Sequence, residues 1–181
     1  AHPHSQIIAS NAEPSTCCLD RTALGQGCPY CNMLDAERKA GERVLLESDG
    51  FVTVLPFASR WPFEVWILPV MHQHSYAQAG ESEVRAVAAA TQRALEALRS
   101  SLADPPYNFV IHTMRDNEAP NNAFHWHIRI TPRLGVPGGF ELATGLMINS
   151  VLPEQAADVL RAAATPDRAS SRSSSTREAG S

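Results

Sequence analysis

The run His125-Trp126-His127-Ile128-Arg129-Ile130 constrains the fold more than any other stretch of this chain. It alternates polar and apolar residues without a break, and an extended strand turns such alternation into two distinct faces. Trp126, Ile128 and Ile130 form the face that must be buried. His125, His127 and Arg129 form the other, a row that is costly to bury without ligands. The strand therefore predicts a sheet with one apolar face and one face that is a site, a metal centre or both.

Three further runs, Phe51–Leu55, Glu64–Pro69 and Asn108–Thr113, are rich in β-branched and aromatic residues and bounded by Pro, Gly or Asn, which marks them as strands. Between the second and third lies a helix from Glu81 to about Leu102. Its Val84, Val87, Ala88, Thr91, Leu95, Leu98 and Leu102 recur at helical spacing, with Glu and Arg opposite. A last helix begins after Pro153, with Glu154 in its first turn, and runs to about Ala163. Consecutive strands with one long inserted helix predict an α+β fold, an antiparallel sheet with helices packed on one face.

These elements fall within 28–164, one compact unit. Before it, His4 to Ala9 reads as a strand edge and 10–27 as a polar, turn-rich linker. From Thr165 the chain is rich in Ser, Arg and Ala with no apolar period, so 165–181 is expected to be disordered. A net charge of -4 argues against nucleic acid as the partner. No apolar run approaches the ~18–20 residues of a membrane span, and the first residues do not read as a secretory signal. The expectation is a soluble, cytoplasmic protein.

Six of the seven histidines lie in pairs spaced i, i+2: His2/His4, His72/His74 and His125/His127, with His112 alone. Cys28 and Cys31 form Cys-Pro-Tyr-Cys, the spacing of a metal knuckle or of a redox pair. Cys17 and Cys18 are adjacent and cannot easily bridge each other, so they read as free thiols. Zinc favours closure by two thiolates and two imidazoles, and here the metal would staple the start of the unit to its sheet. The redox reading calls for the cysteines at the start of a helix that follows a strand, whereas here a linker precedes them.

Several segments together resemble a known family. His2-Pro3-His4-Ser5-Gln6, the CPYC at 28–31, WPFEVWILPVMH at 61–72, FHWHIRITPRL at 124–134 and GGFELATGLMIN at 138–149 resemble the galactose-1-phosphate uridylyltransferases of the histidine-triad (HIT) superfamily, built of two HIT-like repeats. The resemblance implies that 1–27 is the end of a first repeat plus linker and 28–164 the second repeat, so that the chain looks like the second part of a split or truncated transferase. It implies a reaction in which UDP-glucose and galactose 1-phosphate give glucose 1-phosphate and UDP-galactose through a uridylyl-histidine. His4 would be the nucleophile, since neutral imidazole is nucleophilic near pH 7. Gln6 would hydrogen-bond the transferring phosphoryl group, and His2 would be a metal ligand of the first repeat.

By the same resemblance Cys28, Cys31, His72 and His125 would hold zinc. An alternative set, His112, His125 and His127, matches members that hold iron. His74 would be a surface histidine and His127, in the place His4 holds in the other repeat, structural. Phe140 and Glu141 match the segment that reaches the sugar of the partner subunit's substrate in the family dimer, which implies a dimer in the assembled enzyme and a complementary N-terminal half as partner. Two other readings remain: a related ADP-sugar phosphorylase, with phosphate as acceptor, and a catalytically silent zinc-stabilised module.

Overall fold

A computed structural model describes residues 27–114 and 123–164. The expected amino-terminal strand, nearly all of the linker and the expected tail lie outside them, as do His2, His4 and Gln6. The described residues form a five-stranded antiparallel sheet of β1 (Val44–Ser48), β2 (Phe51–Val54), β3 (Val65–Pro69), β4 (Tyr107–His112) and β5 (His127–Pro132), in the spatial order β1-β2-β3-β5-β4. The helices among them are α1 (Pro29–Ala40), α2 (Glu81–Ser101), the short α3 (Gly139–Thr144) and α4 (Pro153–Ala164). Every strand and both long helices expected within 28–164 are present, with ends displaced by a residue or two. The fold class is α+β, as expected.

The alternation in β5 decides which face is which. Trp126, Ile128 and Ile130 pack with Phe51, Val65 and Ile67 under α2 and α4, which contribute Val87, Leu98 and Leu160. The buried residues of α2 are Val87, Ala90, Ala94, Ala97 and Leu98, with Ala86 and Leu95 packed at their margin. Small side chains let the helix lie close to the sheet and to Ala156 and Ala157 of α4. The apolar stripe expected on α2 is thus wider than the core it covers: Val84 and Ala88 stay exposed.

Four elements went unforeseen: α1, β1, α3 and a single 3-10 turn at Tyr76–Gln78. The helix α1 packs on the sheet face opposite α2, seating Tyr30 and Leu34 against Val52, Val54 and Leu68, so the helices are not confined to one face as expected: the second face is apolar too at β2 and β3 and needs its own cover. The signals of α1 were punctuation rather than periodicity. Pro29 stands at its start, Arg38 and Lys39 in its last turn, and Gly41 at φ +70° donates its N–H to the Glu37 carbonyl. Its amphipathic stripe is masked because one of its three buried residues is Glu37. Between β1 and β2, Asp49 and Gly50 at φ +51° and +80° make the two-residue turn that follows the sheet's twist.

Glu37 is buried but satisfied. The Nε of Arg43 donates to both its carboxylate oxygens at 3.0 and 2.8 Å, and Arg43 also reaches Glu154 of α4. The pair joins α1 to α4 across the β1 edge. Glu37→Ala would leave Arg43 short of a partner in a setting where its side chain is only 13% exposed. The expected loss is about 3 kcal/mol, read as a lower urea midpoint with an unchanged slope.

Candidate metal centre

Antiparallel pairing of β3 with β5 brings the end of β3 beside the start of β5. His72 follows β3 and His125 precedes β5, so both imidazoles arrive at one corner of the sheet. The first turn of α1 lies over the same corner, held by Tyr30, with Cys28 as the residue capping the helix and Cys31 one turn on. Cys31 Sγ lies 3.5 Å from Nδ1 of His72 and 3.5 Å from Nδ1 of His125, and Cys28 Sγ lies 3.9 Å from Nδ1 of His125. One ligand atom from each of the four residues falls within 4.8 Å of all the others. The donors are up to 97 positions apart in sequence, so the tertiary fold assembles them.

The electrostatics suit a cation. Burial, then the hydrogen bond and charge of Cys28, push the Cys31 thiol up to about 11, so this thiol resists ionising until a positive charge joins it. Burial, then the neighbouring His72, pull His125 down to about 4, which leaves its imidazole neutral with a lone pair to give at pH 7. Two sulfurs and two imidazoles are a donor set that can hold a metal ion of soft or borderline character. The cysteines do open a helix, as a redox pair would, but a redox pair has no need of two imidazole nitrogens against its sulfurs.

The rest of the polar face of β5 has a different fate. His127 is fully buried, contrary to an open binding face. Its ring lies 4.8 Å from Trp66 and 4.7 Å from His112, both stacked, with Tyr30 at 4.9 Å. Its Nδ1–H donates to the His125 carbonyl at 3.0 Å. Burial pulls it down to about 3, partly opposed by that hydrogen bond. The ring is neutral at pH 7 and packed on both faces. The set His112, His125 and His127 is not gathered as a donor group: His125 turns its Nδ1 to the cysteines, and the other two rings stack on each other.

His74 stands apart from the cluster, half-buried rather than on the open surface, with Nε2 3.4 Å from the Gln78 amide. Phe140 and Glu141 sit in α3. Phe140 is exposed, and Glu141 accepts from the Gly138 N–H at 3.0 Å, capping its own helix. Sequence reading passed over Glu64, which is buried at the lip of β3. It accepts from the backbone N–H groups of Arg60 and Trp61 and from Trp66 Nε1, and lies 3.3 Å from Arg129. A carboxylate in front of an apolar strand, with Trp and Arg within reach, was the available signal.

The family model for the galactose-1-phosphate uridyl transferase C-terminal domain matches residues 26–172. ADP-glucose phosphorylase of Arabidopsis thaliana is 36% identical over 166 residues, covering 89% of this chain and 47% of that protein. A solved uridylyltransferase mutant superposes with a TM-score of 0.70 at 26% identity, over 76% of this chain and 47% of that one. A zinc-bound histidine-triad protein of Mycobacterium smegmatis shares the fold at a TM-score of 0.54 and 22% identity, over 76% of this chain and 92% of its own. The chain spans about half the length of the first two.

Proposed function

Because this chain belongs to the galactose-1-phosphate uridyl transferase family through that C-terminal domain, we propose that it is the C-terminal part of a nucleotidyltransferase that moves UMP between hexose 1-phosphates. The match over 26–172 carries this reading, and the conjunction of a four-donor cluster with HPH at 2–4 supports it. In the first step Nε2 or Nδ1 of His4 attacks the α-phosphorus of UDP-glucose. A P–N bond forms, the bridging P–O bond breaks, and glucose 1-phosphate leaves. In the second step a phosphate oxygen of galactose 1-phosphate attacks the same phosphorus, the P–N bond breaks, and UDP-galactose departs with the imidazole restored. Gln6 donates its amide to the transferring group. Phe140 and Glu141 meet the sugar, Glu141 by accepting from its hydroxyls, in a cytoplasmic, dimeric enzyme completed by an N-terminal half that carries the partners of His2.

The metal is zinc in this reading. Zinc–sulfur bonds of about 2.3 Å and zinc–nitrogen bonds of about 2.0–2.1 Å put neighbouring ligands of a tetrahedron roughly 3.4–3.8 Å apart, against 3.5–3.9 Å for three of the sulfur–nitrogen pairs here and 4.8 Å or less for every pair among the four donors. Cys28, Cys31, His72 and His125 complete four-coordination, so the metal supplies structural closure and no open position for chemistry.

One observation favours a second reading: the 36% identity is to an ADP-glucose phosphorylase. There the nucleotide on His4 would be AMP and the acceptor inorganic phosphate. The test is intact mass spectrometry after incubation with UDP-glucose or ADP-glucose, with the chain by itself and with a complementary N-terminal half. A uridylate on His4 supports transfer between hexose phosphates, and an adenylate supports the phosphorylase. No adduct under any condition, with metal bound and the fold intact, leaves a silent metal-stabilised module.

A further inference from the structure

Thr53 is the polar residue of β2, which otherwise reads Phe51, Val52 and Val54. Alternation sets it on the same face as Phe51, the face under α2 and α4. The residue is 1% exposed, and its Oγ1 has no hydrogen-bond partner among the described residues. A buried hydroxyl without a partner costs stability, and valine would fill the same space without that cost. Such an orphan calls for a group that meets it.

Thr53 lines a cavity of about 420 Å³ bounded by α2, the end of α4 and the β1–β2 hairpin. Two features of the fold make the room. The helix α2 faces it with Ala94 and Ala97, where larger side chains would close the space. On β1 the register slips: Val44 pairs with Val54 and Leu46 with Thr53, which leaves Leu45 as an extra residue. An irregularity of this kind re-aims side chains, and here both Leu45 and Leu46 line the cavity. Arg161 of α4 braces the wall by donating to the Val44 carbonyl at 2.9 Å. The result is an apolar chamber with one orphaned hydroxyl in its lining, the usual make-up of a small-molecule site.

The rim carries charge. Arg93 and Arg99 of α2 border the cavity, both exposed, and neither is paired with a carboxylate among the described residues. Glu96 borders it too, with its Oε1 accepting from Gln92 Nε2 at 3.1 Å. The rim is therefore net positive, in a chain whose total charge is -4. We propose that this chamber is a ligand site for a small amphiphilic carboxylate. Its apolar body lies against Leu45, Leu46, Ala94 and Ala97, a hydroxyl or carbonyl oxygen at one end meets Thr53, and the carboxylate at the other stays at the arginine rim. The site lies on the sheet face opposite α1 and its metal cluster, so it does not depend on the nucleotidyl-transfer reading.

The test is a titration of the full chain followed by methyl NMR. The probes are one chain-like pair, 8-hydroxyoctanoate and octanoate, and one ring-bearing pair, 3-(4-hydroxyphenyl)propanoate and 3-phenylpropanoate. The expected result is a saturable shift at the Thr53, Leu45, Leu46, Ala94 and Ala97 methyls with at least one hydroxylated probe. That probe is expected to bind about tenfold more tightly than its partner without the hydroxyl. In Thr53→Val the preference is expected to vanish while Tm equals or exceeds the parent's, since the orphan is gone. Arg93→Gln combined with Arg99→Gln, at exposed positions, is expected to weaken binding about fivefold, an effect that shrinks as salt rises. No saturable shift at these methyls with any probe overturns the proposal, as do shifts spread over the exposed apolar surface instead. So does a hydroxyl preference that is absent in the parent or survives Thr53→Val, or binding that ignores the arginine variant.

Discussion

Replacing His4 with alanine is expected to abolish formation of the nucleotidyl adduct, a loss of more than about a thousand-fold in transfer, while metal content and melting profile stay as in the parent. The size follows from the chemistry: without the imidazole there is no atom to form the P–N bond, and both half-reactions go with it. His127→Ala separates nucleophile from packing. His127 is enclosed by Trp66, His112 and Tyr30, so its truncation is expected to cost stability, about 2–4 kcal/mol for a buried ring of this size, with the adduct still forming on His4 in the molecules that remain folded. An adduct that persists in His4→Ala and maps to another residue would sink the mechanism proposed here.

Removal of the metal is expected to have the largest effect on stability. A ligand at a thousand-fold excess over its dissociation constant stabilises by about 4 kcal/mol, and for a chain of this size each kcal/mol moves Tm by roughly 2–4 °C. A strong chelator is therefore expected to lower Tm by about 8–16 °C. His72→Ala is the sharpest variant. The side chain is exposed, so apart from a metal its loss costs little, and with one it takes away a quarter of the donor set. Cys31→Ser is expected to match it, and both are expected to be indifferent to chelator. Cys28→Ser is less informative, because Cys28 caps α1 and serine is a better cap than cysteine. Retention of metal and Tm in His72→Ala and Cys31→Ser would show that the ligand set is wrong.

The legible part of the fold was the part written in period two and period 3.6. β5 declared its faces by alternation, and α2 and α4 declared themselves by helical recurrence. What escaped has a physical reason in each case. The buried face of α1 includes Glu37, neutralised by Arg43, so its hydrophobic signal is weak. β1 is a five-residue edge strand, and α3 spans six residues. Both are too short for periodicity to register.

The histidines mark the same divide more sharply. Although the strand itself starts at His127, His125 and His127 were expected on one face of one strand, and alternation sets both on it. It does not say that α1 would cover that face, turning one ring to two cysteines and burying the other against Trp66 and His112. The sequence by itself determined the residue types, the strand that carries them and, through the CPYC spacing, a pair of sulfurs one turn apart. The order β3-β5 decided the rest. An antiparallel neighbour places the end of one strand against the start of the next, and that brings His72 to His125 across more than fifty residues of intervening chain. No local pattern encodes such a meeting, because it depends on which strands pair, and that is settled by burial of the whole apolar face at once.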